Sequence, residues 1–88
     1  MFSVLLKPKA AKELGKLPPG IKDRIKSALQ ILTYEPVPFR EYDVKKIRGS
    51  EGMYRIRLGE FRVIYAVEEE EKAVIILKIA RRDETTYD

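Results

Sequence analysis

The residues of this sequence best suited to chemistry are three closely spaced arginines. Arg55 and Arg57 precede the pair Gly59-Glu60, and Arg62 follows it. A guanidinium group is charged at every physiological pH, and its planar fork of N–H donors fits a phosphate group. Three such groups within a short segment predict a binding site for a polyanion.

The segment that carries these arginines has the pattern of a β-hairpin. Residues 53–58 and 61–67 are two runs rich in β-branched and aromatic residues. Between them, Gly59 stands at the first position of a two-residue loop, which suits a type II′ turn. This turn predicts a register in which Arg57 lies directly opposite Arg62.

The predicted register divides the hairpin into two faces, because successive side chains of a strand point to opposite sides. One face is apolar and is the predicted core side: Tyr54, Ile56, Leu58, Phe61, Val63 and Tyr65. The other face carries the three arginines with Ile64 and Ala66. Like charges directly opposite each other destabilise a sheet. The arginines therefore indicate either a solvated face on which long side chains splay apart or an anion site, and we favour the anion site.

Composition restricts the chemistry that is available. The chain has 88 residues, is 44% hydrophobic and 36% charged, and carries a net charge of +4, so we predict one globular domain over residues 1–88. It contains no cysteine and no histidine, which leaves arginine, lysine, tyrosine and carboxylates for any catalysis. We find no signal peptide and no apolar run that would span a membrane, so we expect a cytoplasmic protein without a membrane partner.

A strand, two helices and a second strand precede the hairpin in the predicted order of elements, and one strand follows it. The predicted elements are a strand at 2–6, helices at 8–17 and 19–34, a proline-containing connector, and strands at 42–48 and 73–80. We predict an α+β fold with an N-terminal strand, a helical hairpin and a mainly antiparallel curved sheet. The helices would cover the apolar face, and the arginine-bearing face would be open and concave.

Further charged residues flank the arginines. In the last predicted strand, alternation places Ile75, Leu77 and Ile79 on the core side, and Lys78 and Arg82 on the side of the arginines. Lys46 and Arg48 add charge to the strand before the hairpin. The first helix directs Lys9, Lys12, Glu13 and Lys16 outward. These lysines fit either an ordinary solvated helix face or a basic flank for a long polyanion.

The segment from Asp43 to Val67 resembles the core of the RelE-type toxins of the RelE/ParE superfamily. The resemblance lies in the pattern Tyr-Arg-Ile-Arg-Leu-Gly followed by Arg-Val-Ile-Tyr, and it extends to the final Ala-Arg-Arg-Asp. It implies a toxin of a type II toxin–antitoxin system that cleaves mRNA in the ribosomal A site. It also implies inhibition by a RelB-like antitoxin and an activity that needs no metal or other cofactor.

The resemblance implies a role for particular side chains. The implied catalytic residues are Arg55, Arg62, Arg82 and Tyr87, and the residues expected to bind RNA are Arg57, Lys46, Arg48 and Lys78. The reaction would be attack of a ribose 2′-OH on the adjacent phosphate. Arginines would stabilise the charge on the phosphorane, and Tyr87 would act as the base or as a platform on which a nucleobase stacks.

Two other functions stay open. One is a ParE-like toxin that binds DNA gyrase and cleaves no RNA, and the other is a basic domain that only binds RNA or a partner. The full set of arginines favours the endoribonuclease. We also expect Ile64, Phe39 and Val37 to be exposed beside the basic face and to attract an acidic, amphipathic partner segment, which in this family would be the antitoxin.

Overall fold

The computed structural model describes residues 1–82, and within this range the chain forms five strands and two helices. The strands are β1 (Ser3–Leu6), β2 (Asp43–Lys46), β3 (Met53–Leu58), β4 (Phe61–Glu68) and β5 (Ala73–Arg81), and the helices are α1 (Pro8–Gly15) and α2 (Pro19–Leu32). The predicted α+β fold and the predicted order of its elements are confirmed.

Prolines determine where both helices begin. Pro8 and Pro19 occupy the first helical turn, where the backbone N–H that proline lacks would have no intrahelical partner. Both helices end about two residues earlier than predicted. Beyond their ends the chain continues with bonds to the third preceding residue, such as Leu17 N–H to the Leu14 carbonyl at 3.2 Å, a tightening common at helix ends. Neither helix is long and apolar enough to cross a membrane.

The sheet has the strand order β1-β5-β4-β3-β2, and only the pair β1-β5 is parallel among the described strands. The predicted register of the β3-β4 hairpin is confirmed from Leu58 opposite Phe61 through Tyr54 opposite Tyr65. Gly59 has a φ of +58°, and Glu60 does not have a positive φ. This combination is that of the predicted type II′ turn, which a residue with a Cβ adopts poorly at its first position.

The core lies between the helices and the predicted apolar face of the hairpin. Its buried members include Ile25, Ala28, Leu29 and Leu32 of α2 and Ile56, Val63 and Tyr65 of the sheet. The rings of Tyr54 and Tyr65 stack with 5.8 Å between their centroids. The helices therefore cover one face of the sheet and leave the arginines on the other.

The predicted faces of β5 are wrong over the first half of the strand. The residues whose side chains are buried are Val74, Ile76 and Ile79, whereas Ile75 and Leu77 are half-buried. Tyr65 pairs with Ile76 and Ile64 pairs with Lys78. Leu77 is thus an extra residue in the strand, a β-bulge that reverses the alternation. Beyond the bulge, Ile79 faces the core as predicted.

Because of Tyr65, the free energy of unfolding should fall as pH rises into the alkaline range. Burial, with a smaller contribution from Tyr54, raises the pKa of Tyr65 above its ordinary value of 10.0. Because the unfolded chain ionises first, this contribution is complete below about pH 10 and falls as pH rises toward the folded pKa. We expect urea unfolding between about pH 9 and 11 to show a smaller loss of stability in Tyr65→Phe than in the wild type.

The same substitution removes a hydrogen bond. The Tyr65 hydroxyl donates to the Pro36 carbonyl at 2.8 Å, so Tyr65→Phe should cost about 1 kcal/mol at neutral pH. Tyr34→Phe is the control, because Tyr34 is 72% exposed and should change neither quantity. Identical alkaline profiles for the wild type and Tyr65→Phe would contradict the assignment.

Candidate nucleic-acid interface

The face of the sheet opposite the helices carries its charged residues in two rows. The first row runs across the strands through Lys45, Arg55, Ile64 and Lys78, and the second runs through Asp43, Arg57, Arg62 and Ala80. We call these eight residues the arginine face. Adjacent strands lie about 4.8 Å apart, so the arginines that the sequence predicted to converge are neighbours. Their position is confirmed.

Asp43 offsets the repulsion between the arginines. One carboxylate oxygen of Asp43 lies 3.3 Å from Nη1 of Arg55, and the other lies 3.6 Å from Nη1 of Arg57. Nη1 of Arg55 also approaches the backbone carbonyl of Asp43 at 3.4 Å. This carboxylate was not among the residues predicted to form the site. Its signal was present, because an inward-facing Val44 places Asp43 on the outer face of the same strand.

The expectation of an open, concave arginine face is wrong for its centre. Arg55 is 3% exposed, Arg62 is 8% exposed and Ile64 is 2% exposed. Arg55 is buried beside a carboxylate that is itself about half exposed, that of Asp43. About a third of the Arg57 side chain remains exposed, so Arg57 is the most accessible of the three arginines.

Of the two predicted RNA-binding residues in the β2 region, Lys46 and Arg48, Lys46 does not lie on the arginine face. Lys46 pairs with Tyr54, which places it on the side of the sheet that the helices cover. Lys45 pairs with Arg55 and shares its face, so alternation makes Lys45 the better candidate for contact with the same ligand. Arg48 follows the end of β2 and is exposed.

Lys78 has an acidic partner in the first helix. Its Nζ lies 3.3 Å from one carboxylate oxygen of Glu13, and the other oxygen accepts the Ile79 N–H at 2.9 Å. The expectation that Glu13 points into solvent is therefore wrong. β1 ends at Leu6, opposite Ile76. Beyond this point of β5, the Glu13 carboxylate accepts the Ile79 N–H that a neighbouring strand would otherwise accept. Glu13 also offsets the positive charge of Lys78.

The two arginines at the end of β5 have different surroundings. Arg81 pairs with Phe61, and its guanidinium carbon lies 5.1 Å from the centre of that ring. Arg82 is exposed, and its backbone N–H donates to the Glu60 carbonyl at 2.8 Å. Arg82 directly follows β5, so its predicted place on the side of Arg62 stays a prediction. Tyr87 lies outside the described residues, and its role stays a prediction.

Five glutamates lie together at the end of the hairpin opposite the Gly59-Glu60 turn. A cavity of about 490 Å³ near Gly52 and Val67 is lined by Glu51 and Glu68 through Glu71. Within residues 1–82, no group of three or more aspartates and glutamates is placed to hold a metal ion. The separation of charge favours approach of a polyanion to the end of the sheet that carries the Gly59-Glu60 turn.

Two comparisons of sequence place this chain among known toxins. The sequence model of the ParE toxin of the type II toxin–antitoxin system parDE matches residues 4–86. A relative from Methanocaldococcus jannaschii, named as toxin RelE1, is 37% identical over 82 residues, which are 93% of this chain and 91% of that protein.

Solved structures agree with the sequence comparisons. RelE in the archaeal RelE–RelB complex from Pyrococcus horikoshii superposes with a TM-score of 0.85 at 37% identity, over 96% of this chain and 98% of that one. The intact RelBE complex of E. coli matches at 23% identity with a TM-score of 0.78, over 92% of this chain and 96% of that one, which supports the fold alone. The chain belongs to the RelE/ParE family of toxins of type II toxin–antitoxin systems.

Proposed function

We propose that this protein is an endoribonuclease that cleaves mRNA in the ribosomal A site. The observation that carries the proposal is the arginine face, on which Arg57 lies opposite Arg62 and Arg55 lies on the diagonal. Strands position these side chains on a rigid surface. A cluster of positive charge that is already assembled can stabilise a phosphorane without the cost of gathering the charges during the reaction.

The proposed reaction needs only groups of the substrate and of this chain. The 2′-oxygen of a ribose attacks the adjacent phosphorus and forms a bond to it. The bond between phosphorus and the 5′-oxygen of the next nucleotide breaks. The 2′-hydroxyl loses a proton and the leaving 5′-oxygen gains one, so the products carry a 2′,3′-cyclic phosphate and a 5′-hydroxyl. The arginines supply the charge stabilisation, and we assign no metal ion or other cofactor to the reaction.

We assign Arg62 and Arg55 to the non-bridging oxygens of the phosphorane and Arg57 to the RNA backbone. Arg82 would stabilise the developing charge on the leaving oxygen. Arginine is a poor acid because its pKa exceeds 12, so charge stabilisation describes Arg82 better than proton donation. Tyr87 would accept the proton of the 2′-hydroxyl or stack on a base, and a neighbouring guanidinium would favour the phenolate.

Two properties of this site support dependence on the ribosome: the chain has no histidine for acid–base catalysis, and two of the arginines are buried. The chain contains no histidine, so the usual acid–base pair for neutral pH is missing. Arg55 and Arg62 are also withdrawn from solvent. A partner that presents the mRNA in the reactive orientation would supply the largest gain in rate. Because the proposed substrate is mRNA on a translating ribosome, we place the protein in the cytoplasm.

We also propose a RelB-like antitoxin as the protein partner. RelE of Pyrococcus horikoshii was solved in complex with RelB. Among the strands of residues 1–82, β1 pairs only with β5 and is an edge strand of the sheet, which a partner strand could extend. Beside that edge, a groove of about 360 Å³ is lined by Val4, Leu6, Leu14 and Leu29. An acidic, amphipathic antitoxin could bury this groove and offset the basic charge.

Primer extension on mRNA held in programmed ribosomes tests the proposed activity. We expect cuts within the A-site codon when the protein is added and none on the same mRNA without ribosomes. Cuts on free mRNA would indicate a ribosome-independent nuclease. No cuts in any reaction, with folded protein, would contradict endoribonuclease activity.

The family model favours one second candidate, because it describes ParE toxins. A ParE-like toxin would bind DNA gyrase and leave mRNA intact. A gyrase supercoiling assay beside the primer extension separates the two functions, since inhibition of supercoiling without mRNA cuts would select the second candidate.

A further inference from the structure

A cavity lies beside the arginine face, at the edge where the sheet meets α2. It has a volume of about 350 Å³, and its walls include Arg24 of α2, Tyr42 and Asp43 at the start of β2, and Arg57 of β3. We propose that this cavity binds a backbone phosphate of single-stranded RNA and extends the RNA path beyond Arg57. This inference rests on the proposed function and adds Arg24 to the residues that bind RNA.

The guanidinium of Arg24 lies beside the type II′ turn at the end of the hairpin. Its Nη1 is 3.5 Å from the point that a Cβ of Gly59 would occupy, which is an ordinary contact distance. Among residues 1–82, Arg24 makes no hydrogen bond and no ion pair. Its donors are therefore available to a ligand.

Arg57 supplies a second guanidinium to the lining of the cavity. About a third of its side chain is exposed, although Nη1 lies 3.6 Å from Asp43, so part of the guanidinium is accessible to a phosphate. Its Nε is buried and has no hydrogen-bond partner among the described residues. Arg57 already spans both regions, because it lines the cavity and stands in the second row of the arginine face.

The lining of the cavity contains two arginines and two carboxylates, so its own formal charge is zero: Arg24, Arg57, Glu41 and Asp43. The surplus of positive charge comes from the adjoining arginine face, which adds Lys45, Arg55, Arg62 and Lys78. A phosphate suits the planar donors of the two arginines that line the cavity, and the charge of the adjoining face attracts it.

The cavity and the arginine face form one continuous surface that suits a chain of phosphates. An isolated anion would need only one of the two regions. RNA repeats its phosphates along the backbone, so one phosphate can occupy the arginine face while a neighbouring one enters the cavity. Each additional arginine–phosphate contact releases counterions and steepens the dependence of binding on salt.

Salt-dependent binding of a 2′-O-methyl RNA tests this site. The modified RNA has no 2′-hydroxyl to attack the phosphate, so its binding is measured without cleavage. Fluorescence anisotropy at increasing salt gives the slope of log K against log salt concentration. We expect Arg24→Gln to lower the magnitude of this slope by about 0.7, the value for one phosphate contact on a single strand. Gln removes the charge, remains polar and suits an exposed helix.

Lys26→Gln is the matched control. Lys26 is exposed on the same helix, carries the same charge and lies outside the lining of the cavity. We expect it to keep the wild-type slope. Equal slopes for the two variants would overturn the assignment, because general loss of charge would then explain both. Arg24→Lys should restore the slope, since the number of counterions released depends on charge.

The outcome separates this site from the proposed function. A lowered slope for Arg24→Gln supports the cavity even if the wild type cuts no mRNA on ribosomes, in which case only the proposed activity fails. In the converse outcome, the wild type cuts mRNA while both variants have equal slopes. That result would refute the assignment of the cavity as a phosphate site and would leave the proposed endoribonuclease activity in place.

Discussion

Cleavage of ribosome-bound mRNA is expected to fall roughly 10²–10³-fold when Arg62 is replaced by methionine, the range for loss of one stabilising donor. Arg62 lies opposite Arg57 and is 8% exposed. In this position its charge is close to those of the other arginines and is largely shielded from water. A charge in such surroundings stabilises a negatively charged phosphorane more strongly than a charge in water would. The measurement is the rate of A-site cutting by primer extension under single-turnover conditions.

Methionine is the appropriate replacement because Arg62 is buried. Alanine would leave a cavity and could lower stability as well as activity. Methionine retains most of the side-chain volume, and a thermal unfolding curve checks that the fold is intact. Arg62→Lys should keep part of the activity, since lysine retains the charge without the planar fork. Arg40→Met is the control, because Arg40 is exposed and outside both rows. Wild-type cutting by Arg62→Met would refute the assigned role.

The adjacent arginines Arg81 and Arg82 should differ sharply in their effect on cleavage. Arg82→Ala is expected to reduce cutting by roughly 10²-fold, because it would remove the charge beside the leaving oxygen. Arg81→Ala should leave the rate close to that of the wild type. Arg81 stacks on the Phe61 ring and lies 3.9 Å from Glu60, on the side of the sheet away from the proposed reaction.

This pair forms its own control, since both residues are exposed arginines in consecutive positions. Loss of Arg81 should cost less than about 1 kcal/mol of stability, because an exposed cation–π contact and an exposed ion pair are both weak. Unfolding in urea measures this cost. If Arg81→Ala abolished cutting and Arg82→Ala did not, the strand alternation used to assign the two residues would be wrong at this point.

The hairpin is the part of the site that could be derived from sequence. Gly59 selects the turn, and alternation on either side of it sets the register that brings Arg57 opposite Arg62. These are local constraints between residues that are close in the chain, so no knowledge of the remaining fold is needed. The catalytic roles of these arginines stay predictions.

The first half of β5 could not be derived in this way. Its residues Val74 through Leu77 are all apolar, so they contain no alternation that would show which side faces the core. The bulge at Leu77 appears only when β5 pairs with β4. The face on which Lys46 lies could not be derived for a related reason, because two consecutive lysines do not indicate which of them shares the face of the arginines until the pairing with β3 is known.

The sequence alone determined the order of elements, the hairpin register and the arginines that share a face, because periodicity and turn chemistry act over short stretches of chain. The tertiary structure alone decided how those charges are held. Asp43 lies in β2, which a loop separates from the strand of Arg55 and Arg57, and its carboxylate contacts both arginines. Glu13 contacts Lys78, which lies 65 residues further along the chain. Ion pairs and burial depend on distances between remote segments, and only the packed fold brings those segments together.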